Sequence, residues 1–396
     1  MPLVALKLLR ASTFEVGLLV AIERLPFLLV GLPAGAIVDR LRRRPVLIAG
    51  DAGRAIALGS VPVAYWAHAL TMIQLYAVVL VTGVLTVFFD VAYQSYLPAL
   101  VGPDQLVDGN AKLQVSESGA QIAGPALAGV LYGLFQAGAI AADALSYVWS
   151  AVCVLLIRAP EPPVDRHRPP DAPPSRLRSE IAEGVRYVWR HPYLRPIAAC
   201  TAISNLFSTL TVAVFFTYAV RTLHLSAGTI GAVFAVGSVG FLLGAVVARP
   251  LAGRFGVGPT IVWSAVLFGP PTLLVPVAPR QSPVLWLAAS FLLGSFWTPI
   301  YNVTQVSLRQ RLCPPRLLGR MNATMRFVVW GTMPVGAVLG GALGSRLGLR
   351  PTLYIGAFGL MTAFVPVVWS PVRNLREMPE PEADLTEEGE LRGLHS

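Results

Sequence analysis

Long runs of apolar residues alternate with short polar or turn-rich breaks along almost the whole chain. A helix needs about 20 apolar residues to cross the hydrocarbon core of a bilayer, and each run has roughly that length. The pattern therefore predicts an all-α membrane protein with eleven spans. The expected spans lie near residues 14–38, 45–66, 72–96, 117–136, 138–157, 195–219, 228–250, 258–279, 284–305, 323–345 and 350–370.

The longest break, residues 158–194, divides the spans into a first half, residues 1–157, and a second half, residues 195–370. Seven prolines between residues 160 and 174 are typical of a stiff, extended linker. After them, from Leu177 to Trp189, apolar residues recur at helical spacing among arginines. This spacing predicts an amphipathic helix on the membrane surface, and a solvated connector helix is the alternative.

The composition is that of a membrane protein. Hydrophobic residues make up 55% of the chain and charged residues 13%, against about 25% charged residues in soluble domains. The mean hydropathy is +0.63. A soluble enzyme, a disordered chain and a secreted disulfide scaffold are therefore excluded. Cys153, Cys200 and Cys313 are isolated in the sequence, so we expect no disulfide framework, no metal site and no cofactor.

Basic residues in the breaks fall mainly on one side of the membrane when successive spans alternate in direction. That side, called the basic side below, carries 22 Lys and Arg, whereas the opposite side carries 6. Since basic loops stay in the cytoplasm, we expect the basic side, the linker and an acidic, disordered tail at 371–396 to be cytoplasmic in a bacterial inner or plasma membrane. Nucleic-acid binding is the weaker interpretation of the net charge of +10 and is not expected.

The two halves repeat one another in sequence. A shift of 214 residues aligns Gly17 with Gly231, and a shift of 212 residues aligns Gly129 with Gly341. The register therefore changes very little over more than a hundred residues. This pattern indicates a parallel repeat whose two copies are related by an axis along the membrane normal.

The segment between the first two spans, GAIVDRLRRRPVL at residues 35–47, resembles the cytoplasmic loop signature of the major facilitator superfamily. The resemblance implies two pseudo-symmetric six-helix halves and a cytoplasmic gate latched by an acidic residue. Arg42 stands where the superfamily usually has a second glycine, and the second half retains only Arg254 of the signature. An ordinary basic loop is the alternative. The gate residues are Gly35, Asp39, Arg40, Arg43 and Arg44.

A second segment, GAQIAGPALAG in the span 117–136, resembles the antiporter motif of drug–proton exporters. A Gly-Pro pair kinks a helix, and glycines permit close packing against the other half. Packing of small residues alone is the alternative. Further stretches, such as AIERLPFLLVGLPAGAIVDR and ADALSYVWSA, resemble the branch of macrolide-efflux proteins and enterobactin exporters. The motif residues are Gly119, Gly124, Pro125 and Gly129.

The resemblance covers nearly the whole chain except the first helix of the superfamily. The repeat offset places the counterpart of the span 195–219 mostly before Met1, so that Pro2 to Leu9 would be its tip. We therefore expect the first half to lack most of helix 1. An upstream start site and a degenerate paralogue are the two explanations.

Charged residues inside membrane spans are unfavourable and usually mark either a transport path or a pair of opposite charges. Glu23 and Asp143 are the first candidates for carrying a proton because they lie deepest in their spans, and Asp90 is the next. Asp51 and Arg54 share one helix face and are expected to neutralise each other. Pairing that only fixes helix packing is the alternative. The remaining charge partners are Arg24 and Arg326.

The expected function is secondary active export of a bulky, largely apolar small molecule, such as a drug, a macrolide or a siderophore-like compound, by a proton-driven monomer. The sequence GxxxxGK[ST] does not occur, which excludes ATP hydrolysis of that type. The alternatives are an importer of a small metabolite with the same fold, an inactive truncated paralogue and a membrane sensor. A membrane prenyl transferase would need paired Asp-rich motifs, which the sequence lacks.

The substrate cavity is expected between the two halves, near the middle of the membrane. Polar and aromatic residues of the second half are the candidates for its lining. They are Asn205, Phe207, Ser208, Phe215, Trp297, Tyr301 and Asn302.

Overall fold

The computed structural model describes residues 1–38, 41–100, 116, 119–120, 123–124, 127–135, 138–157 and 177–377. All regular structure within these residues is helical, as the hydrophobic pattern predicts. The helices are α1 (Pro2–Leu8), α2 (Thr13–Leu29), α3 (Gly31–Val38), α4 (Arg43–Trp66), α5 (Met72–Leu100), α6 (127–135), α7 (Gly138–Leu156), α8 (Leu177–Arg190), α9 (Leu194–Arg221), α10 (Ala227–Phe255), α11 (Val257–Leu267), α12 (Leu274–Val277), α13 (Pro283–Leu312), α14 (Pro315–Arg346), α15 (Leu349–Met361) and α16 (Val365–Val368).

Nine helical stretches in the described residues are long and apolar enough to cross a membrane. They coincide with nine of the eleven predicted spans. The predicted span 14–38 is divided instead into α2 and α3, which meet at Val30. Pro33 explains the division because a proline has no N–H to donate to the carbonyl four residues earlier. Much of the predicted span 117–136 lies outside the described residues, and α6 is the continuous helix within it.

The start of α2 is set by a capping box that is visible in the sequence as Ser-x-x-Glu. The Glu15 backbone N–H donates to Ser12 Oγ over 3.2 Å, and the Ser12 N–H donates to Glu15 Oε2 over 2.6 Å. Two backbone donors that the helix itself leaves unpaired are thereby satisfied.

The outer surfaces of the bundle are apolar. Leu145 on α7, Val246 on α10 and Leu285 on α13 are 67%, 67% and 73% exposed. Such an arrangement suits contact with lipid tails, whereas in water it would form large exposed apolar patches.

Inside the second half, small residues let helix backbones come close. A Cβ atom at Gly240 of α10 would overlap the Leu292 carbonyl oxygen of α13. A Cβ atom at Gly336 of α14 would overlap the Leu206 carbonyl oxygen of α9. The many glycines of the sequence therefore serve the close helix packing that membranes favour.

Two further close contacts join the halves to each other. A Cβ atom at Gly17 of α2 would lie 2.7 Å from Gly341 Cα of α14, and one at Gly129 of α6 would lie 2.9 Å from Gly231 Cα of α10. The sequence repeat aligns Gly17 with Gly231 and Gly129 with Gly341. The two contacts, called the glycine crossings below, are therefore copies of one another, as expected for two pseudo-symmetric halves.

Both glycine crossings lie on the opposite side of the protein, away from the basic side. Gly17 and Gly231 follow the start of their helices there, and Gly129 and Gly341 precede the end of theirs. On the same side, Arg221 Nη2 at the end of α9 donates to the Ala11 carbonyl over 2.5 Å. The halves are thus held together where few basic residues lie.

The predicted linker helix is present as α8, which packs against the second half. Glu183 of α8 forms an ion pair with Arg320 of α14, and the Tyr187 hydroxyl donates to the Leu312 carbonyl over 3.1 Å. A Cβ atom at Gly184 would lie 2.6 Å from Thr324 Oγ1. Trp189, on another face of α8, is 65% exposed.

We expect the substitution Gly129→Val to destabilise the protein by about 1–3 kcal/mol because its side chain would overlap the α10 backbone. Gly133→Val is the matched control, since Gly133 lies one turn further along α6 with no atom within 4 Å of its Cβ position. Thermal unfolding of both variants in detergent measures the difference. Equal unfolding midpoints for the two variants would show that the crossing is not tightly packed.

Candidate transport site

A cavity of about 240 Å³ lies in the second half, between α9, α13 and the turn that joins α11 to α12. We expected the substrate cavity between the two halves. Every residue that lines this cavity, however, belongs to the second half. The structure brings five of the seven predicted lining residues to its wall. They are Asn205, Ser208, Phe215, Tyr301 and Asn302.

The two other predicted lining residues pack elsewhere. Phe207 lies against α15, where its ring occupies the space that a Cβ atom at Gly359 would need. Trp297 packs edge-on against Phe296 with ring centroids 5.0 Å apart. Both contribute to helix packing in the second half.

The cavity wall combines hydroxyl, amide and aromatic groups, and none of its lining residues in the described part of the chain carries a charge. Thr201 and Tyr301 join α9 to α13 through a hydrogen bond of 2.9 Å between their hydroxyl oxygens. Asn205 Nδ2 donates to the Val329 carbonyl of α14 over 3.1 Å. These bonds link the α9 part of the wall to α13 and α14.

Several lining residues escaped prediction, although the sequence contains their signal. Thr201 and Thr211 extend the stripe that Asn205 and Ser208 form along α9, since all four recur at intervals of three or four residues. Such spacing places polar groups on one helix face. Ser295 is also part of the wall.

The predicted gate residues lie at the start of α4 and in the residues before it. Gly35 is in α3, whereas Asp39 and Arg40 lie outside the described residues. Arg43 is the first residue of α4. Arg44 donates from Nε to the Val154 carbonyl over 3.3 Å and from Nη2 to the Leu155 carbonyl over 2.7 Å. Arg44 therefore caps the end of α7, where helix carbonyls lack partners and a positive charge is favourable.

The predicted antiporter motif divides into two environments. Gly119 and Gly124 are helical, and no atom of the described residues lies within 4 Å of their Cβ positions. Gly129 forms the glycine crossing with Gly231. Pro125 lies outside the described residues.

Charged residues inside the spans differ strongly in burial. Glu23 Oε1 and Arg24 Nη2 are 3.6 Å apart, but both side chains are more than 40% exposed. Asp90 and Asp143 are also exposed. Asp51, in contrast, is 1% exposed. The position of a residue along its span therefore did not identify the most buried of these carboxylates. Burial depends on which neighbouring helices cover the side chain.

The two arginines named as charge partners also differ. Arg54 is buried, and its Nη2 lies 2.5 Å from Asp51 Oδ1. Arg326 is exposed and lies over the Trp330 ring at 5.7 Å from its centroid. Trp330 in turn packs edge-on against Phe27 of α2, with ring centroids 5.2 Å apart. Arg326 thus stands beside the contact between the halves.

A family model described as transmembrane secretion effector matches residues 5–390. The chain belongs to this family of the major facilitator superfamily. It is therefore a membrane transporter and not an enzyme.

Curated relatives of this major facilitator chain are named as efflux proteins. The multidrug efflux pump Tap of Mycolicibacterium fortuitum is 26% identical over 379 residues, which cover 93% of this chain and 89% of Tap. Macrolide efflux protein A of Streptococcus pyogenes is 22% identical over 359 residues, covering 89% and 86% of the two chains. Enterobactin exporters are among the other matches. The predicted resemblance to the macrolide-efflux and enterobactin-exporter branch is thereby confirmed.

The fold is likewise that of solved transporters. The inward-facing crystal structure of a bacterial homologue of the iron transporter ferroportin superposes with a TM-score of 0.72 at 17% identity. The match covers 93% of this chain and 92% of that one. The prediction of a major facilitator fold is confirmed.

We expect Arg44→Gln to lower the free energy of unfolding by about 1–2 kcal/mol, because the Val154 and Leu155 carbonyls would lose a charged donor. Arg42→Gln should stay within about 0.5 kcal/mol of wild type, since Arg42 is an exposed residue two positions earlier. Thermal unfolding in detergent compares the two variants. An Arg44→Gln protein as stable as the Arg42→Gln protein would remove Arg44 from the set of stabilising contacts.

Proposed function

We propose that this major facilitator chain exports a bulky, largely apolar small molecule by alternating access, driven by protons. The observation that carries the proposal is the cavity between α9 and α13, whose lining is aromatic, hydroxyl-bearing and uncharged in the described residues. Such a wall favours a ligand that buries apolar surface and accepts a few hydrogen bonds. The efflux names of the curated relatives support the same direction of transport.

The orientation follows from the distribution of charge. We infer that the basic side, with 22 Lys and Arg against 6 on the opposite side, faces the cytoplasm. The linker 158–194 and the tail 371–396 then lie in the cytoplasm of a bacterial cell. In this orientation the glycine crossings and the Arg221 contact would lie on the external side, which supports an inward-facing state.

The residues of the gate and of the proton path are proposed from the charged residues of the sequence. Asp39 with its basic neighbours would hold the cytoplasmic side closed in the outward-facing state, and Asp39→Asn should therefore weaken transport. Glu23 and Asp143, followed by Asp90, are the proposed proton-coupling carboxylates, and the side chains of all three are partly or fully exposed in the structure. The transporter would act as a monomer.

Import of a small metabolite is the second candidate function. It is favoured by the modest cavity volume of about 240 Å³ and by the polar stripe of α9. The direction of transport distinguishes it from export.

Ethidium, a flat aromatic cation, is a suitable probe for the proposed export. Inverted membrane vesicles that contain the protein should accumulate ethidium when the interior is acidified, and an uncoupler should abolish the accumulation. Vesicles without the protein provide the background. Accumulation that survives the uncoupler, or none above background, would contradict proton-driven export of this class of compound.

Asn302→Trp should reduce ethidium accumulation by about tenfold, or about 1.4 kcal/mol, because the larger side chain fills much of the cavity. Val303→Trp is the matched control. Val303 is the next residue of α13, is 46% exposed and is not part of the cavity wall. Initial rates in inverted vesicles, normalised to protein content, measure both variants. Equal rates would exclude this cavity from the substrate path.

Ser208→Cys tests the inward-facing assignment, because Ser208 is an exposed residue of the cavity wall. In a Cys153→Ser background the remaining native thiols, Cys200 and Cys313, are buried. A membrane-impermeant maleimide should label Ser208→Cys in inverted vesicles but not in intact cells. Gln281→Cys, in an exposed loop of the opposite side, should show the reverse. Labelling of Ser208→Cys from outside only would reverse the assigned state.

A further inference from the structure

The first half contains a buried ion pair inside a membrane-length helix. Asp51 Oδ1 and Arg54 Nη2 of α4 are 2.5 Å apart, and their side chains are 1% and 5% exposed. Both charges belong to one helix, so the pair by itself does not tie two helices together. A helix that needed only to pack would be better served by apolar residues, because burial of charges is unfavourable in a membrane.

Arg54 also makes contacts that do not involve Asp51. Its guanidinium carbon lies 4.2 Å from the centroid of the Phe89 ring of α5 and 4.4 Å from that of the Tyr147 ring of α7. Its Nε donates to the Gly50 carbonyl over 3.3 Å. The two rings and the carbonyl can hold the cation when its carboxylate partner changes charge.

Asp51 has one oxygen that the pair leaves unsatisfied. Oδ2 is buried and accepts no hydrogen bond within the described part of the chain. An anionic oxygen without a donor is unfavourable in such surroundings, whereas a protonated oxygen carries no net charge. Oδ2 is therefore a place where a proton can reside.

Other charged groups face the pair from the neighbouring helices. Asp143 lies one turn before Tyr147 on α7, and Asp90 follows Phe89 on α5. Both carboxylates act electrostatically on Tyr147 together with Asp51 and Arg54, and Asp143 also acts on Arg54. Asp51 and Asp143 thus share one guanidinium, which can neutralise only one of them at a time.

We propose that Asp51 binds the transported proton and that Arg54 positions it. The proton adds to Oδ2, the carboxylate becomes a neutral acid, and the attraction to Arg54 is lost. Arg54 remains between the two aromatic rings and turns towards Asp143, one of the exposed carboxylates near it. Release of the proton restores the Asp51–Arg54 pair. This assignment rests on the proposed proton-driven export and adds a buried residue to it.

The test compares Asp51→Asn with the conservative variant Asp51→Glu in inverted vesicles. Asp51→Asn should lose about tenfold or more of the gradient-driven ethidium accumulation, because a neutral amide cannot take up the proton. Exchange of labelled for unlabelled ethidium without a gradient should stay within about twofold of wild type, since it needs no proton. Asp51→Glu should regain accumulation with a changed pH profile. Glu377→Gln, an exposed site outside the spans, is the control for removing a carboxylate.

A second measurement separates proton binding from a structural role. Ethidium binding to the detergent-solubilised wild-type protein should release protons, which a pH indicator detects, and Asp51→Asn should abolish the release. If the Asp51→Asn protein is not found in the membrane, the double variant Asp51→Asn/Arg54→Gln, which removes both charges, replaces it. The double variant should exchange ethidium without a gradient but should not accumulate ethidium.

Distinct results overturn the two proposals. Wild-type vesicles that ignore the proton gradient would refute proton-driven export and this assignment together. A gradient-dependent wild type combined with an Asp51→Asn or double variant that still accumulates ethidium would refute only the role of Asp51. Parallel loss of exchange, accumulation and stability in both variants would also overturn it, since that result indicates a structural pair.

Discussion

Two glycine crossings between the halves are the contacts on which the arrangement of this transporter depends. Where Gly17 meets Gly341 and Gly129 meets Gly231, the helix backbones are too close for any side chain. Lipid offers no hydrophobic driving force between helices, so such close packing is a main source of their attraction. The crossings also determine which end of the protein is closed. While the crossings persist, the two halves can separate only towards the basic side.

Much of the fold could be predicted because the bilayer makes strict demands on sequence. Nine predicted spans match helices such as Leu194–Arg221 and Arg43–Trp66, since any crossing helix needs a long apolar run. The sequence also showed that Gly17 and Gly129 repeat at Gly231 and Gly341. The division of the span 14–38 was missed, although Pro33 supplied a local signal for it.

The candidate site was harder to predict because it depends on which helix faces meet. Asn205 and Phe207 were both proposed for the cavity wall, yet residues two apart in a helix point in nearly opposite directions. Asn205 lines the cavity, and Phe207 packs against α15. Asp51 is a similar case. Its burial comes from helices that include Phe89 and Tyr147, which lie about 40 and 100 residues away in sequence.

The uncharged cavity and the buried ion pair lie in different halves of the protein. The cavity of the second half presents uncharged groups such as Tyr301 and Asn302, whereas the buried charges Asp51 and Arg54 belong to the first half. In the proposed mechanism, a proton on α4 and a ligand against α9 would therefore have no need of direct contact. Each can favour one arrangement of the halves over the other, and that difference in affinity is all that coupling requires. The shared elements are the paired helices α2 with α14 and α6 with α10, whose glycine crossings must open when the halves reorient. Under the proposed proton-driven export, coupling would depend on how strongly each bound species stabilises those crossings.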